Sequence, residues 1–325
     1  MSRTLIPLSL TATLMAGTAF AEVPKVTVDI APIHSLVSRV MEGVGTPDLI
    51  VQPGASPHRY HLRPSEAQSL QDADLVFWVS ARLSPWLEEA IETLADDANT
   101  TELMEADGII ELSSRNDALF EKHVHGDHDD HSEDEHSDHD DHAKNEHDDH
   151  DDHAHKKSDP HAWLSPKNAM TWLNVIAGQL SAADPENAGT YFANAAAGRT
   201  EIEAVMAEVN ATLDTVRGSQ FVVFHDAYQY FENDFNFPAA GAISISDASD
   251  PSPARIAEIQ ARVADEGIDC VLSEPQFNPG LVATVLDGTE AKTGVADPLG
   301  SSLELGSALY PQLLRDLSST LAKCL

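Results

Sequence analysis

Short apolar runs alternate with helical patterns along most of the chain. Residues 25–30 (KVTVDI) read as a strand, and residues 32–42 follow as a helix with Ile33, Leu36, Val37 and Val40 on one face. The alternation repeats with a strand at 48–51, a helix at 64–72 opening on Pro64, a strand at 74–79 (DLVFWV), a helix at 87–94 and a fourth strand at 109–112. The pattern breaks at Glu121 and resumes near Ser158. Ser165-Pro166 then reads as the cap and first turn of a helix running to about residue 180. Residues 185–216 form one long helical stretch bounded by Gly218, on the order of 45 Å long at about 1.5 Å per residue. Strands at 220–224, 269–272 and 292–296 alternate with helices at 253–265, 279–286 and 306–321. Strands alternating with helices predict an α/β fold of βαβ units with mostly parallel sheets. The expected architecture is two lobes, each a mostly parallel sheet flanked by helices, with one long helix between them.

The first 21 residues change where such a protein is expected to work. Arg3 precedes an apolar run from about Leu5 to Met15, and Ala19-Phe20-Ala21 supplies an A-x-A cleavage site. This is the form of a secretory signal peptide, with cleavage expected near Ala21. The run falls short of the ~20 residues that a membrane span needs. The expected division is therefore a signal peptide at 1–21, an N-terminal α/β lobe at 22–184, a linking helix at 185–217 and a C-terminal α/β lobe at 218–325. Export also gives the two cysteines a meaning. In an oxidising compartment, Cys270 on an apolar strand and Cys324 near the C-terminus read as one disulfide, with two separate thiols as the alternative.

Charge narrows the function further. The 325 residues carry 19 Lys+Arg against 54 Asp+Glu, a formal net charge of −35. A chain with so little positive charge has no footprint for nucleic-acid phosphates or for anionic lipid. Much of the imbalance is local, because residues 121–155 hold eleven of the sixteen His, with fifteen acids and two Lys. Such a tract has almost nothing apolar to bury, so an insert at 121–157 is expected to stay unfolded within the first lobe. Its histidines, His123, His125, His128, His131, His136, His139, His142, His147, His150, His153 and His155, are candidates for weak, auxiliary metal binding.

Five histidines lie outside the tract: His34, His58, His61, His161 and His225. His34 falls on an amphipathic helix and reads as a packing residue. His58 lies in the loop Gly54–His58, His161 in Ser158–His161 just before a helix, and His225 directly after the run Phe221–Phe224. Asp297 follows the strand at 292–296 in the same way. Ligands of open α/β sheets bind beyond the carboxyl ends of the strands, so these four residues can converge in a cleft between two lobes. Three neutral imidazoles and a carboxylate suit tetrahedral zinc, whereas Ca²⁺ or Mg²⁺ would call for more oxygen ligands. Taken singly, each His is equally well explained as a hydrogen-bonded loop residue. His61 competes with His58 for the role, and His58 is preferred because it occupies the turn.

Several strings carry a resemblance to a known family. They are Gly54–Tyr60 (GASPHRY), Leu62–Ser65 (LRPS), Asp159–Pro166 (DPHAWLSP), Phe224–Tyr228 (FHDAY), Ser273–Phe277 (SEPQF) and Asp297–Gly300 (DPLG). Together with the acidic His-rich insert, they resemble the ZnuA-type periplasmic zinc receptors, the solute-binding subunits of zinc ABC importers. The resemblance implies two lobes joined by a rigid helix, and one Zn²⁺ between them held by His58, His161 and His225. Asp297 or water would be the fourth ligand. It also implies a Cys270–Cys324 disulfide, delivery of zinc to an inner-membrane permease, and no catalysis. Where some members carry Glu before the first ligand His, this chain has Pro57. Members that use manganese carry a carboxylate where this chain has His225, and an imidazole favours zinc.

Other function classes fit the same residues less well. A manganese or other divalent-metal receptor and a zinc buffer working without a transporter share the site. An exported zinc hydrolase would need an open metal position and a general base. The chain has no HExxH motif, and Glu274 reads better as a partner orienting a ligand His. The expected state is a monomer, exported to the periplasm.

Overall fold

Two parallel sheets of four strands each carry the fold. The computed structural model describes residues 23–115, 158–244 and 251–325, so the expected signal peptide and the whole His-rich tract lie outside the described residues. The first half runs β1 (Val26–Val28), α1 (Ala31–Val40), β2 (Asp48–Leu49), α2 (Pro64–Gln71), β3 (Leu75–Trp78), α3 (Pro85–Leu94) and β4 (Asn99–Glu102), with sheet order β2-β1-β3-β4. Two helices follow, α4 (Pro166–Ala183) and the longest, α5 (Ala188–Leu213). The second half runs β5 (Phe221–His225), α6 (Gln229–Phe235), β6 (Gly241–Ser244), α7 (Pro253–Asp265), β7 (Cys270–Ser273), α8 (Pro279–Leu286), β8 (Lys292–Val295) and α9 (Leu309–Cys324), with order β6-β5-β7-β8. The two sheets share one topology. In each, the chain steps from the first strand to one side and then crosses to the other, which leaves a switch point beside that strand.

Burial on both faces explains why the central strands read as unbroken apolar runs. In β5, Phe221 and Val223 join a core shared with α5 and α9. Val222 and Phe224 point the other way, against Ile259 and Val263 of α7 and Val282 and Val285 of α8. The larger core is continuous from Val28 and Phe77, through Trp172 of α4 and Val205 of α5, to Leu314 of α9. Helix α5 packs on α1 and α4 of the first half and on α9 of the second. Asn194 donates to the carbonyl of Val40 at 3.0 Å, and Arg315 on α9 pairs with Glu208 at 2.7 Å. Cys270 of β7 is disulfide-bonded to Cys324 of α9, with Cα atoms 5.6 Å apart.

Three stretches differ from the sequence-based expectation. The fourth strand is Asn99–Glu102, not residues 109–112. This edge strand (NTTE) is polar and half exposed, so it has no apolar signal to read. Residues Ile109, Ile110 and Leu112 are instead apolar because they lie against the core in extended chain, where Asn168 brackets Ile110 through both its N–H and its carbonyl. Helix α6 and strand β6 were not expected at all. At seven and four residues they are too short to show a period, and β6 contains Gly241 and Ala242 where a strand signal calls for branched side chains. The long helix is also shorter than 185–216. A single 3₁₀ turn covers Pro185–Asn187, and the α-helix ends at Leu213 before Gly218 turns the chain at φ +96°.

Candidate metal centre

Each of the three candidate histidines is placed by a different device. His58 sits in the loop between β2 and α2. Gly54 takes φ +85° there, a conformation only glycine adopts without strain. The carbonyl of Pro57 accepts from the indole of Trp86 at 2.7 Å and from Ser84 Oγ at 3.2 Å, which fixes the backbone one residue before the imidazole. His161 comes three residues after Ser158. Ser158 bridges to Ser113, and Asp159 N–H donates to the carbonyl of Leu112 at 2.8 Å. A 3₁₀ turn over Ala162–Leu164 and the cap of α4, where Ser165 Oγ accepts from Asn168 N–H at 3.1 Å, hold the other side. His225 is the last residue of β5, at the switch point of the second sheet.

These imidazoles meet. One ligand atom from each of His58, His161 and His225 lies within 4.8 Å of the others, and the Nε2 atoms of His58 and His161 are 3.3 Å apart. Two nitrogens bound tetrahedrally to one zinc at about 2.0–2.1 Å stand roughly 3.3–3.4 Å from each other, which matches that pair. Bringing the third to the same spacing takes a shift of at most roughly 1.5 Å. His161 and His225 are buried and His58 is half-buried.

Two carboxylates fix which nitrogen faces the centre. Asp159 Oδ1 lies 2.7 Å from His161 Nδ1, and Glu274 Oε1 lies 2.8 Å from His225 Nδ1. An Nδ1–H donated to a carboxylate leaves Nε2 as the lone-pair nitrogen, and this orients the ring and raises its basicity toward a metal. Asp159 Oδ1 also accepts the backbone N–H of His161 at 3.0 Å, and Glu274 Oε1 that of His225 at 3.3 Å. Glu274 follows β7, the strand beside β5, so adjacent strand ends deliver His225 and its partner together. Burial pushes the Asp159 carboxyl up to about 7, and that of Asp226 to about 7 as well. The Arg115 guanidinium acts in the opposite direction on both.

The cleft around the imidazoles is walled largely by apolar and aromatic groups. Trp163, Phe277, Pro298 and Leu299 are among them, with Trp163 centred 5.3 Å from His161 and Phe277 5.4 Å from His225. Such walls keep the dielectric low and limit competing water.

Asp297, the alternative to water as fourth ligand, is not in the group of three. Its own turn consumes the carboxylate. Oδ1 accepts from Leu299 N–H at 3.0 Å and Gln276 Nε2 at 3.1 Å, while Oδ2 accepts from Ser301 N–H at 2.6 Å and Ser301 Oγ at 2.5 Å. His61 is exposed and stays outside the group. His34 is buried on α1, with Nε2 3.2 Å from the carbonyl of Pro47, and burial lowers its pKa. The eleven tract histidines lie outside the described residues. Sequence reasoning overlooked Asp159, although it stands two residues before His161 and that spacing was its only signal.

Comparison with known proteins decides the family. The model of the family described as "Zinc-uptake complex component A periplasmic", ZnuA, matches residues 26–324. The chain belongs to the ZnuA family. A ZnuA relative from Brucella abortus, named High-affinity zinc uptake system protein ZnuA, is 46% identical over 92% of this chain and 91% of its own length. The protein of the same name from Paracoccus denitrificans is 44% identical over 98% of both. A crystal structure of ZnuA superposes with a TM-score of 0.71 at 20% identity, covering 93% of this chain and 98% of that one, and shares the two-lobed fold. Membership places the chain among periplasmic components of zinc-uptake complexes. Among the described residues, no helix is long and apolar enough to cross a membrane.

Proposed function

We propose that this protein captures one zinc ion between its two lobes and delivers it to the membrane permease of an ABC importer. His58, His161 and His225 are the protein ligands, and solvent fills the fourth position because Asp297 is engaged in its own turn. The observation that carries the reading is the convergence of three imidazoles from both halves of the chain, two of them with Nδ1 held by a carboxylate. Relatives at 44–46% identity named for high-affinity zinc uptake support it. A neutral three-nitrogen set favours zinc over the harder cations, manganese included. A hydrolytic role has no support in the site, since the two carboxylates beside the imidazoles, Asp159 and Glu274, are engaged with His161 and His225.

The same reading assigns residues 1–21 to export with cleavage near Ala21, residues 22–184 and 218–325 to the lobes, and residues 185–217 to their link. It casts the His-rich tract as a weak collector of zinc, and the working form as a monomer docking on its permease.

Metal analysis of the mature protein, purified without chelator, tests the reading. One tightly held zinc per chain is expected at neutral pH. Protons and zinc compete for the same nitrogens, so acidification weakens binding, with loss of zinc progressing below about pH 6, near the ordinary imidazole range. Zinc retained at pH 4 would rule out a His-dominated site. Glu274→Gln is expected to lower affinity by roughly 10–100-fold while leaving one site, read by chelator competition.

A further inference from the structure

An ionic cluster with two buried carboxylates adjoins the string that carries His225. Arg115 lies on the segment that follows the first sheet, and its guanidinium reaches into the second half of the molecule. Nη1 is 2.9 Å from Asp226 Oδ1 and 3.2 Å from Glu232 Oε1, and Nη2 is 2.7 Å from Glu232 Oε2. Asp226 and Glu232 are both buried, while Arg115 keeps a side-chain exposure of 21%. Asp226 is the residue after His225. Glu232 is on α6 and its Oε2 also accepts the N–H of Ala239, which fixes it to the turn before β6. The other end of the same segment is equally tied. Leu112 accepts from Asp159 N–H, and Tyr230 of α6 donates to the carbonyl of Asp159 at 2.9 Å.

The 112–115 segment therefore touches both strings that deliver His161 and His225, one at each end. A guanidinium suits this position because its planar fork binds a carboxylate through two parallel hydrogen bonds and has donors left for a second; an ammonium has the charge without the fork.

We propose that Arg115 is a positioning residue of the metal centre: by clamping Asp226 and Glu232 it sets where the end of β5 stands relative to the 158–161 string, and so the His161–His225 spacing. The inference rests on the metal reading above. It separates the residue's role from that of Asp159 and Glu274, which orient single rings, whereas Arg115 fixes the distance between two of them.

The test uses the full mature chain, with Zn²⁺ affinity read by chelator competition and coordination geometry by the visible absorption of the Co²⁺-loaded protein. Arg115→Lys keeps the charge and most of the volume. It is expected to fold with a wild-type circular dichroism spectrum, to bind zinc about tenfold more weakly and to give shifted, weaker cobalt bands. Arg115→Met is expected to go further in both readouts, so that Lys ranks as a partial rescue. If Arg115→Met does not fold, Glu232→Gln, which weakens the fork from the other side, is expected to reproduce the Lys phenotype. Arg115→Lys with wild-type zinc affinity and a wild-type cobalt spectrum would overturn the positioning role alone. Failure of the wild-type chain to take up either metal tightly would overturn the metal reading and this inference with it.

Discussion

His161→Ala abolishes tight zinc binding, with affinity expected to fall by two to three orders of magnitude. Binding at structural zinc sites amounts to roughly 10–16 kcal/mol, so one ligand of a small set accounts for about 3–4 kcal/mol. His161 is the most consequential of the three because it is the middle of the cluster. Its ring centroid stands 5.3 Å from that of His58 and 5.2 Å from that of His225. Deleting residues 123–155 is expected to have the opposite outcome, leaving one tight site and removing only weak binding. Titration calorimetry on the two variants separates them. A deletion that abolished the tight site would reassign the ligands to the His-rich tract.

The second large effect concerns stability. The Cys270–Cys324 bond closes a stretch with a sequence separation of 54 between the cysteines. In the chain-entropy account, a loop of that length contributes about 4 kcal/mol. The paired substitution Cys270→Ser and Cys324→Ser is expected to lower the melting temperature by on the order of 10 °C. Zinc stoichiometry should stay at one, because both cysteines lie away from the cleft. Calorimetric melting of the zinc-free protein, with and without reductant, reads the effect. An unchanged midpoint in the double variant would show that α9 is held to β7 by packing alone, through Leu314, Leu317 and Leu321.

Most of the architecture was legible because buried parallel strands announce themselves. The runs that became β1, β3, β5 and β7 are mostly apolar and buried on both faces, and several helices brought their own signal, such as Pro at the start of α2, α4, α7 and α8. Edge strands carry no such mark. Asn99–Glu102 faces solvent along one side, and only its hydrogen bonding to β3 makes it a strand. The apolar residues at 109–112 misled for the converse reason, since packing against a core needs apolar side chains whether or not the backbone pairs. At the site, the three histidines were visible because each stands at a strand end or in the loop leading from a strand to a helix. Asp297 shares that placement, yet the structure turns its carboxylate inward onto Ser301 and Leu299. Position after a strand identifies which residues reach the cleft rim, while the local turn decides where a short side chain points. Arg115 lies 111 residues before Asp226 and 117 before Glu232, and nothing in that spacing announces that they meet.

Helix α5 sets a limit on how the molecule releases its cargo. Its 26 residues span about 39 Å and are gripped by α1, α4 and α9. Bending such a shaft would break its own ladder of amide bonds, and sliding either half along it would unseat interlocked side chains. The two halves are thus better suited to a small rocking against a stiff spine than to a wide jaw motion. Exchange of the ion then falls to what lies outside that spine: the half-buried His58 loop and the strand-end turns. A partner that prises those few segments apart has no need to move the bulk of either half.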